Sequence, residues 1–355
     1  MSAEPSLDPL QLARCLPEWA RAEGFADAAV AHAELADDIA RLDDWLAADR
    51  HGNMRWMADT RDLRADPSAL RPETRSVISV RMDYGLAPAS SWAVLQDGSR
   101  AYVSRYALGR DYHKLMRKRL ARLAQRLADA VAPHGYRVFA DSAPVLEKAL
   151  ARNAGLGWIG KHTLLLNREA GSGFFLGEIY TDLELPVTAA ARSNHCGSCQ
   201  ACIDICPTRA IVAPYELDAT RCISYLTIEH RGSIPLHLRA AIGNRIFGCD
   251  DCQLVCPWNR YAQQAAIPDF APRHGLDQAT LLALFAWSAE QWETRTQGMA
   301  LRRAGYTGWL RNIAVALGNA PTSEAVVAAL RSRVESADPV VREHVQWALA
   351  QHGST

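Results

Sequence analysis

The sequence has no long hydrophobic run, no low-complexity tract and no excess of charge of either sign. No segment approaches the ~18 consecutive apolar residues that a membrane-spanning helix needs. Lys and Arg (39) balance Asp and Glu (39), so overall charge cannot hold a polyanion and any nucleic-acid partner needs a local basic patch. The first ten residues, MSAEPSLDPL, lack the basic and apolar regions of a secretion signal, and we therefore expect a cytoplasmic protein.

The chain is long enough for more than one packed domain. It has 355 residues, of which 49% are hydrophobic, and single cores rarely grow much beyond ~250 residues. Eight of its nine cysteines fall between Cys196 and Cys256. Because thiols stay reduced in the cytoplasm, this crowding indicates metal ligation rather than disulfides. We expect three domains, comprising residues 1–185, 186–262 and 275–355.

Residues 1–185 combine strand and helix patterns, which predict an α/β or α+β domain. β-branched and aromatic residues predict strands at residues 75–80, 136–140 and 173–183. Between the first two, apolar residues at steps of three and four predict a helix. These residues are Met116, Leu120, Leu123, Leu127 and Val131. A second helix is predicted with Ser142 as its cap and Pro144 at its first position, ending at Gly155.

The rest of the chain divides into a cysteine-rich part and a helical part. Residues 186–262 are crowded with Cys, Pro and short apolar runs, so a bound cofactor must take the place of a conventional core. From residue 275 onward amphipathic segments follow one another, and the last has Asp338 as its cap and Pro339 in its first turn. Consecutive amphipathic helices joined by short turns predict HEAT-like helical repeats.

The cysteines form two spaced motifs that are typical of a two-cluster ferredoxin. The first motif, C-x2-C-x2-C-x3-C-P, consists of Cys196, Cys199, Cys202, Cys206 and Pro207. In this bacterial run the fourth cysteine binds the second cluster, which predicts a partner set elsewhere. The sequence supplies one, with Cys222 and a C-x2-C-x3-C-P motif at Cys249, Cys252, Cys256 and Pro257.

The crossed arrangement predicts the ligands of two 4Fe-4S clusters. One set is Cys196, Cys199, Cys202 and Cys256, and the other is Cys222, Cys249, Cys252 and Cys206. The alternative is a pair of zinc sites, since C-x2-C pairs also build zinc ribbons. The cluster interpretation is favoured because the x2, x2, x3 spacing before proline serves two crossed cubanes. Cys15, in a helical stretch, is left over as a half-buried thiol.

Five segments together resemble the epoxyqueuosine reductase family, over nearly the whole chain. They are RYALGRDYHK (residues 105–114), DSAPVLEKALA from Asp141, GLGWIGKHTLL from Gly155, HCGSCQACIDICPT from His195 and GCDDCQLVCPWN (residues 248–259). The Gly-rich turn by itself is a weak signal, and it does not follow a strand as a dinucleotide-binding fingerprint should.

The resemblance implies an oxidoreductase that uses cobalamin and two 4Fe-4S clusters to reduce the epoxide of a modified tRNA wobble base to an alkene. It implies that Asp141 is the proton donor. An ordinary Asp has a pKa of ~3.9, so this role requires burial beside the corrin ring. The alternative is that Asp141 is a charge that stabilises the start of the following helix.

The resemblance also suggests which other residues contact cobalamin. Lys161 and His162 follow the Gly-rich turn and are expected to contact the corrin amides or phosphate tail. The alternative for His162 is a polar side chain whose hydrogen bonds are satisfied within the protein. No histidine ligand to cobalt is implied. Ser224 and Asp250, which neighbour the cluster ligands, are expected near the edge of the cobalamin.

Charge is unevenly distributed along the chain. Residues 100–126 carry seven Arg and two Lys against one Asp (9 − 1 = +8), and residues 27–49 carry seven acids against one Arg (−6). The basic segment could bind tRNA phosphates, together with four arginines of the tail. The alternative is that the basic and acidic segments are solvated helix faces that pair with each other. The tail arginines are Arg295, Arg302, Arg303 and Arg311. Tyr306 and Trp309 could stack on loop bases or belong to the core.

Two other functions remain open on the sequence. A corrinoid iron-sulfur reductive dehalogenase would share the cofactors, but such enzymes usually carry an export signal. A ferredoxin-type electron carrier would hold clusters without a corrinoid. For the reductase we expect a monomer that receives electrons from an external low-potential donor.

Overall fold

A computed structural model describes residues 7–131, 134–188, 194–262 and 267–353. The strands are β1 (Asp27–His32), β2 (Ser76–Asp83), β3 (Tyr102–Val103), β4 (Tyr136–Phe139), β5 (Trp158–Ile159), β6 (Leu165–Leu166), β7 (Phe174–Thr181), β8 (Ile211–Ala213), β9 (Glu216–Leu217) and β10 (Arg245–Phe247). The α-helices are α1 (Pro9–Ala22), α2 (Ala36–Ala47), α3 (Trp56–Asp59), α4 (Arg61–Ala65), α5 (Pro67–Leu70), α6 (Pro88–Leu95), α7 (Tyr112–Ala130), α8 (Glu147–Asn153), α9 (Ala201–Asp204), α10 (Ile223–Ile228), α11 (Leu236–Ile242), α12 (Asp251–Leu254), α13 (Leu281–Phe285), α14 (Ala289–Arg295), α15 (Gly305–Gly318), α16 (Glu324–Arg331) and α17 (Pro339–Gln351). Short 3-10 helices cover Arg105–Ala107, Ala219–Arg221, Pro257–Tyr261, Pro268–Phe270 and Ala300–Ala304.

The chain forms two compact units, each assembled from separate stretches of sequence. Unit 1 comprises Met1–Gly85, Tyr112–Gln200 and Pro257–Ile267. Unit 2 comprises Leu86–Asp111, Ala201–Cys256 and Pro268–Thr355. The three-domain division expected from the sequence stays a prediction. Within the described ranges no helix combines the length and apolar character needed to cross a membrane.

Unit 1 is built around a four-stranded sheet with the order β1-β2-β7-β4. All three strand pairs are antiparallel, so α+β describes this half of the chain. The three predicted strands are confirmed as β2, β4 and β7. Strand β1 was not predicted, because its sequence DAAVAH is rich in Ala and its pairing with β2 outweighs a weak local preference.

Helices cover both faces of this sheet. Helix α7 is confirmed, and it buries Met116, Leu120, Leu123 and Leu127 as expected, whereas Val131 lies beyond its end. Gly177 of β7 permits this packing, since a Cβ there would lie 2.9 Å from Leu120 and 3.0 Å from Met116. On the other face, Ala151 and Ala154 from the α8 region pack against Leu176 of β7.

The prediction for the start of α8 is wrong. The helix begins at Glu147 rather than after Ser142, and Ser142 provides no cap. Asp141 has a φ of +51°, and the Ser142 and Val145 amides bond back to the Ala140 and Ala143 carbonyls, which makes this segment a series of tight turns. Left-handed backbone is uncommon outside Gly and is best tolerated by Asp and Asn.

The tail of unit 2 is helical, as expected. Asp338 is confirmed as the cap of α17, where it accepts hydrogen bonds from the Val340 and Val341 amides. Helix α15 lies in the apolar core of this unit, where Trp309 is 1% exposed and stacks on Trp287.

The predicted helices of the tail are shorter than expected. The segment from Leu276 forms a helix only at Leu281–Phe285, and the one from Met299 starts with a 3-10 turn before α15 begins at Gly305. The HEAT-like arrangement stays a prediction.

Candidate functional site

Electrostatic interactions connect several thiols of unit 2, and these include the predicted second ligand set. Cys222 precedes α10, Cys206 follows α9, Cys249 precedes α12 and Cys252 lies in its first turn. The thiols of Cys222, Cys206 and Cys202 interact electrostatically with Cys252, and Cys252 interacts with Cys249. All nine cysteines of the chain are free thiols rather than disulfides.

Local backbone geometry directs hydrogen bonds at these sulfurs. Cys206 Sγ accepts the Ala210 amide at 3.2 Å. Interactions with the Ser224 and Tyr225 amides and with the Ser224 hydroxyl lower the pKa of the Cys222 thiol, against the larger effect of burial. Gly248, with a φ of +73°, precedes Cys249, and a Cβ on it would lie 2.5 Å from Ser104. The sequence Gly-Cys therefore reflects a turn that only glycine accommodates without strain.

The electrostatics of this thiol group suit a cationic metal cluster. Burial raises the pKa of Cys222, and it raises the pKa values of Cys249 and Cys252 further, with nearby acidic groups adding to the effect. Several buried thiolates are costly side by side unless a metal compensates their charge. The donor set therefore fits an iron-sulfur cluster.

Asp250, an expected cobalamin contact, has a structural role within unit 2. It is 2% exposed and accepts hydrogen bonds from Tyr102 Oη at 2.8 Å, Ser104 Oγ at 2.5 Å and the Arg105 amide at 2.8 Å. These contacts fix the residue that follows Cys249. A contact with cobalamin stays a prediction for Asp250, as it does for the half-buried Ser224.

Of the first predicted ligand set, Cys196 and Cys199 belong to unit 1, and Cys202 and Cys256 belong to unit 2. In unit 1, Lys161 Nζ donates to the carbonyl oxygens of Gly197 at 2.7 Å and Cys199 at 2.8 Å. Lys161 therefore fixes the backbone of the first cysteine motif. Cys15 lies half-buried in α1, as expected.

Asp141 lies on the turn after β4 and is held by two residues of α7. Tyr112 Oη donates to Asp141 Oδ2 at 2.6 Å, and His113 Nε2 lies 2.8 Å from the same oxygen. Tyr112 is itself fixed by stacking on Phe175, with ring centroids 3.8 Å apart. The Asp141 side chain is 52% exposed. The chain alone therefore does not provide the burial that the predicted role of Asp141 as an acid requires.

Two further carboxyl groups, of Glu147 and Glu178, lie near Asp141. Glu147 Oε1 accepts the Asp141 amide at 2.5 Å, and Glu178 of β7 is 0% exposed. Burial, together with the negative charge of Asp141, raises the pKa of Glu147 to about 8. Burial and the neighbouring Glu147 raise the pKa of Glu178 well above its ordinary value.

Unit 1 also contains buried polar atoms that fit a large polar ligand. His162 is 3% exposed, and its Nδ1 accepts the Leu164 amide at 3.1 Å, so in the neutral ring Nε2 carries the proton. Neither His162 Nε2 nor Trp158 Nε1 has a hydrogen-bond partner among the described residues. Burial and the charge of Lys148 lower the pKa of His162 to about 4, which keeps the ring neutral. Such donors suit a ligand rich in amide oxygens, as cobalamin is.

The basic segment contains both paired and exposed cations. Arg119 donates to Gly24 O, Arg122 pairs with Glu23, and Arg126 lies over the Trp19 ring, 4.8 Å from its centroid. These partners all precede residue 27, so the three contacts do not join the basic segment to the acidic one. Helix α7 also exposes Lys114, Arg117 and Lys118. These three side chains form no ion pair with any of the described residues.

The tail arginines differ from the expectation. Arg311 is 1% exposed and donates to backbone carbonyls, so it cannot serve as a surface phosphate contact. Arg302 pairs with Glu293, and Arg303 pairs with Glu229 at 2.8 Å. Arg295 lies over the Trp287 ring. Trp309 belongs to the apolar core of unit 2, and Tyr306 packs against that core.

Several residues of the site were not singled out from the sequence. Tyr112, His113 and Glu147 lie inside conspicuous motifs, but no spacing rule connects them to Asp141. Glu178 had a usable signal, because it is the acidic residue within the largely apolar β7. An ionisable side chain in a strand buried on both faces indicates either a partner or a function.

The cysteine motifs indicate an iron-sulfur protein, and the comparisons with known proteins identify it as an oxidoreductase. A family model described as a 4Fe-4S double cluster binding domain matches residues 195–259. A second, described as epoxyqueuosine reductase QueG, matches residues 64–142. The chain belongs to the epoxyqueuosine reductase family, because curated members match it over nearly its whole length.

Two of these relatives come from Xanthomonas campestris and Pseudomonas aeruginosa. The first is 59% identical, with 98% of each chain covered. The second is 57% identical over 98% of this chain and 96% of the relative. Both are epoxyqueuosine reductases, which favours the reductase over the dehalogenase and the electron carrier.

Solved structures of the family have the same fold. An epoxyqueuosine reductase with an epoxyqueuosine-modified tRNA-Tyr stem loop has a TM-score of 0.84 at 25% identity, covering 98% of this chain and 92% of that one. The Bacillus subtilis enzyme, with an aspartate catalytic loop swung out of the active site, has a TM-score of 0.86 at 26% identity, covering 97% and 91%.

Proposed function

We propose that this chain reduces the epoxide of epoxyqueuosine in a tRNA anticodon loop to the alkene of queuosine, with Asp141 as the proton donor. The observation that carries this proposal is the Asp141 carboxyl group on a left-handed turn, held through one oxygen by Tyr112 and His113. The reaction consumes two electrons and two protons and releases water. The site must therefore combine an acid with a source of single electrons.

The electron source is the pair of 4Fe-4S clusters, for which the crossed ligand sets remain our assignment. When bound, the clusters and cobalamin supply strongly reducing single electrons to the substrate. The chain's part is to hold them. Cys206, Cys222, Cys249 and Cys252 would hold one cluster, and Lys161 would fix the loop of Cys196 and Cys199 for the other.

For cobalamin, unit 1 offers His162 Nε2 and Trp158 Nε1 as buried donors to corrin amides. Neutral His162 would act through hydrogen bonding rather than as a metal ligand. Lys161, Ser224 and Asp250 remain expected contacts. Lys161 is already engaged by two carbonyls, so its effect on cobalamin would be indirect.

Asp141 would donate its proton to the epoxide oxygen as the C–O bond breaks. Because its side chain is half exposed in the chain alone, bound cobalamin and substrate would have to exclude water from it. The φ of +51° at Asp141 gives the turn a backbone conformation that few residues adopt. A member of the family has an aspartate catalytic loop that can swing out of the active site, which agrees with an aspartate on a turn as the acid.

The tRNA would be held near this acid by α7. Lys114, Arg117 and Lys118 are exposed on the helix whose first residues contact Asp141. Their charges would meet phosphates, while a splayed wobble base reaches the site. We further propose a cytoplasmic monomer with HEAT-like tail repeats and an external low-potential electron donor, with domains at 1–185, 186–262 and 275–355.

One assay tests this function directly. Protein purified without oxygen, loaded with iron, sulfide and cobalamin, is incubated with tRNA that contains epoxyqueuosine and with a low-potential reductant. Mass analysis of the nucleosides should show loss of the epoxide oxygen and formation of queuosine. Unchanged epoxyqueuosine despite full cluster and cobalamin loading would refute the proposal, and halocarbon reduction instead would favour the dehalogenase.

A further inference from the structure

Two glutamates beside Asp141 have no role in the reaction as described so far. Glu147 is the first residue of α8, and its Oε1 lies 2.5 Å from the Asp141 backbone nitrogen. Glu178 lies in β7, opposite Ser79 of β2 and Phe139 of β4. Its carboxyl group is fully buried, and neither of its oxygens has a hydrogen-bond partner among the described residues.

We propose that Glu147 and Glu178 form a shared proton store that reloads Asp141 between the two protonations of the reaction. This inference rests on the proposed function, since it assigns the source of the second proton. Glu178 is the inner member of the pair, Glu147 is the outer member, and Asp141 faces the substrate.

The burial of Glu178 and the lack of a cation beside it favour a proton shared by the two glutamates. Glu178 lacks any cationic partner in direct contact within the described ranges, and its acidic neighbour is Glu147. Two adjacent carboxyl groups, of which one is fully removed from water, cannot both ionise without a large electrostatic cost, so they retain a proton. The raised pKa values of both groups agree with this arrangement.

The charged and titratable surroundings of the pair come from several elements of unit 1. They are Asp141, His113 of α7, Lys148 of α8, Arg64 of α4 and Tyr180 of β7. His113 and Lys148 favour ionisation of Glu147, whereas Asp141 opposes it. Arg64 Nη1 is committed to the Val145 carbonyl at 3.1 Å, so it does not form an ion pair with the glutamates through that nitrogen.

The reaction needs a second proton after Asp141 has given its own, and the store would supply it. Asp141 gives one proton to the oxygen as the first C–O bond breaks, and becomes a carboxylate. The store then passes one proton to Asp141, which gives it to the departing oxygen as the second C–O bond breaks. Two electrons from the iron-sulfur and cobalamin chain complete the alkene, and the oxygen leaves as water. Solvent then restores the proton of the store.

The test compares Glu147→Gln, Glu178→Gln and Glu147→Ala with the control Glu184→Gln. Glutamine at position 147 keeps a carbonyl oxygen that can accept the Asp141 amide, so it removes the proton without removing the positioning bond. Alanine removes both. Glu184 is an acidic residue beyond the end of β7 with an 80% exposed side chain, so its change should alter nothing.

Two measurements are made on each variant. The first is the infrared band of protonated carboxyl groups near neutral pH in the protein without cobalamin, which should weaken in Glu178→Gln but not in Glu184→Gln. The second is the pH profile of single-turnover rate with saturating tRNA. The wild-type rate should fall as pH rises through about 8, where Glu147 loses its proton. In Glu147→Gln the rate should be ~10²-fold lower and should no longer fall as the pH rises through this range.

The outcomes separate this inference from the proposed function. An active wild type with an unchanged infrared band and an unchanged pH profile in both glutamine variants would overturn the proton store and leave the reductase intact. A loss of single-turnover rate seen only in Glu147→Ala would mean that Glu147 only positions Asp141, and it would also overturn the proton store. A wild type without queuosine formation would refute the function, while the infrared band would still test the shared proton.

Discussion

The thiol site of unit 2 and the acid site of unit 1 obtain their chemistry in opposite ways. Cys206, Cys222, Cys249 and Cys252 belong to motifs whose spacing is recognisable in the sequence, and local turns position their sulfurs. Asp141 depends on residues of α7 and β7 that no sequence spacing connects to it. A metal site can therefore be concentrated in a motif, whereas an acid tuned by its surroundings requires tertiary structure.

The largest expected effect concerns the thiol site. Cys249→Ser should abolish activity and remove one of the two clusters, because a lost ligand leaves the buried thiols of this group without their compensating metal. Iron and sulfide analysis with electron paramagnetic resonance of the reduced protein would measure the loss. Cys15→Ser in α1 is the matched control and should keep both clusters. A full iron content in Cys249→Ser would contradict the ligand assignment.

The acid site should respond differently. Asp141→Asn should lower the single-turnover rate by ~10²–10⁴-fold, because a general acid is lost, while clusters and cobalamin remain bound. Asp129→Asn in α7, where Asp129 accepts from Gln125, provides a control that should stay active. Rates from rapid mixing and absorption spectra of the loaded protein separate the two effects. An active Asp141→Asn enzyme would require another proton donor.

The same contrast explains what could be predicted from the sequence. The cysteine motifs predicted the double-cluster domain, and alternating or helical patterns predicted β2, β4, β7 and α7, because these signals are local. The start of α8 was mispredicted, since the left-handed turn at Asp141 competes with a standard Ser cap. The partners Tyr112 and Glu178 are brought to Asp141 by antiparallel pairing and by packing of α7, which no local pattern encodes.

Arg311 shows why charge on a sequence does not identify a surface. Its guanidinium donates to the carbonyls of His230, Gly232 and Leu226, and burial lowers its pKa to about 10. Arg311→Met should reduce the free energy of unfolding by about 3 kcal/mol, because buried carbonyls lose their donors. Chemical denaturation measures this, with the exposed Arg331→Met of α16 as control. Equal stability of the two variants would contradict a structural role.

The smallest effect is expected where charge is exposed. Changing Lys114, Arg117 and Lys118 together to Gln should weaken tRNA binding and reduce the magnitude of the salt slope by about 2–3, since each phosphate contact contributes ~0.7–0.9. Fluorescence titrations at several salt concentrations give this slope. Arg41→Gln with Arg75→Gln is the control, because these exposed arginines pair with Asp38 and Glu184. An unchanged salt slope in the triple variant would place the tRNA on another surface. A changed turnover rate at saturating tRNA would mean that the substitutions in α7 also disturb the positioning of Asp141 by Tyr112 and His113.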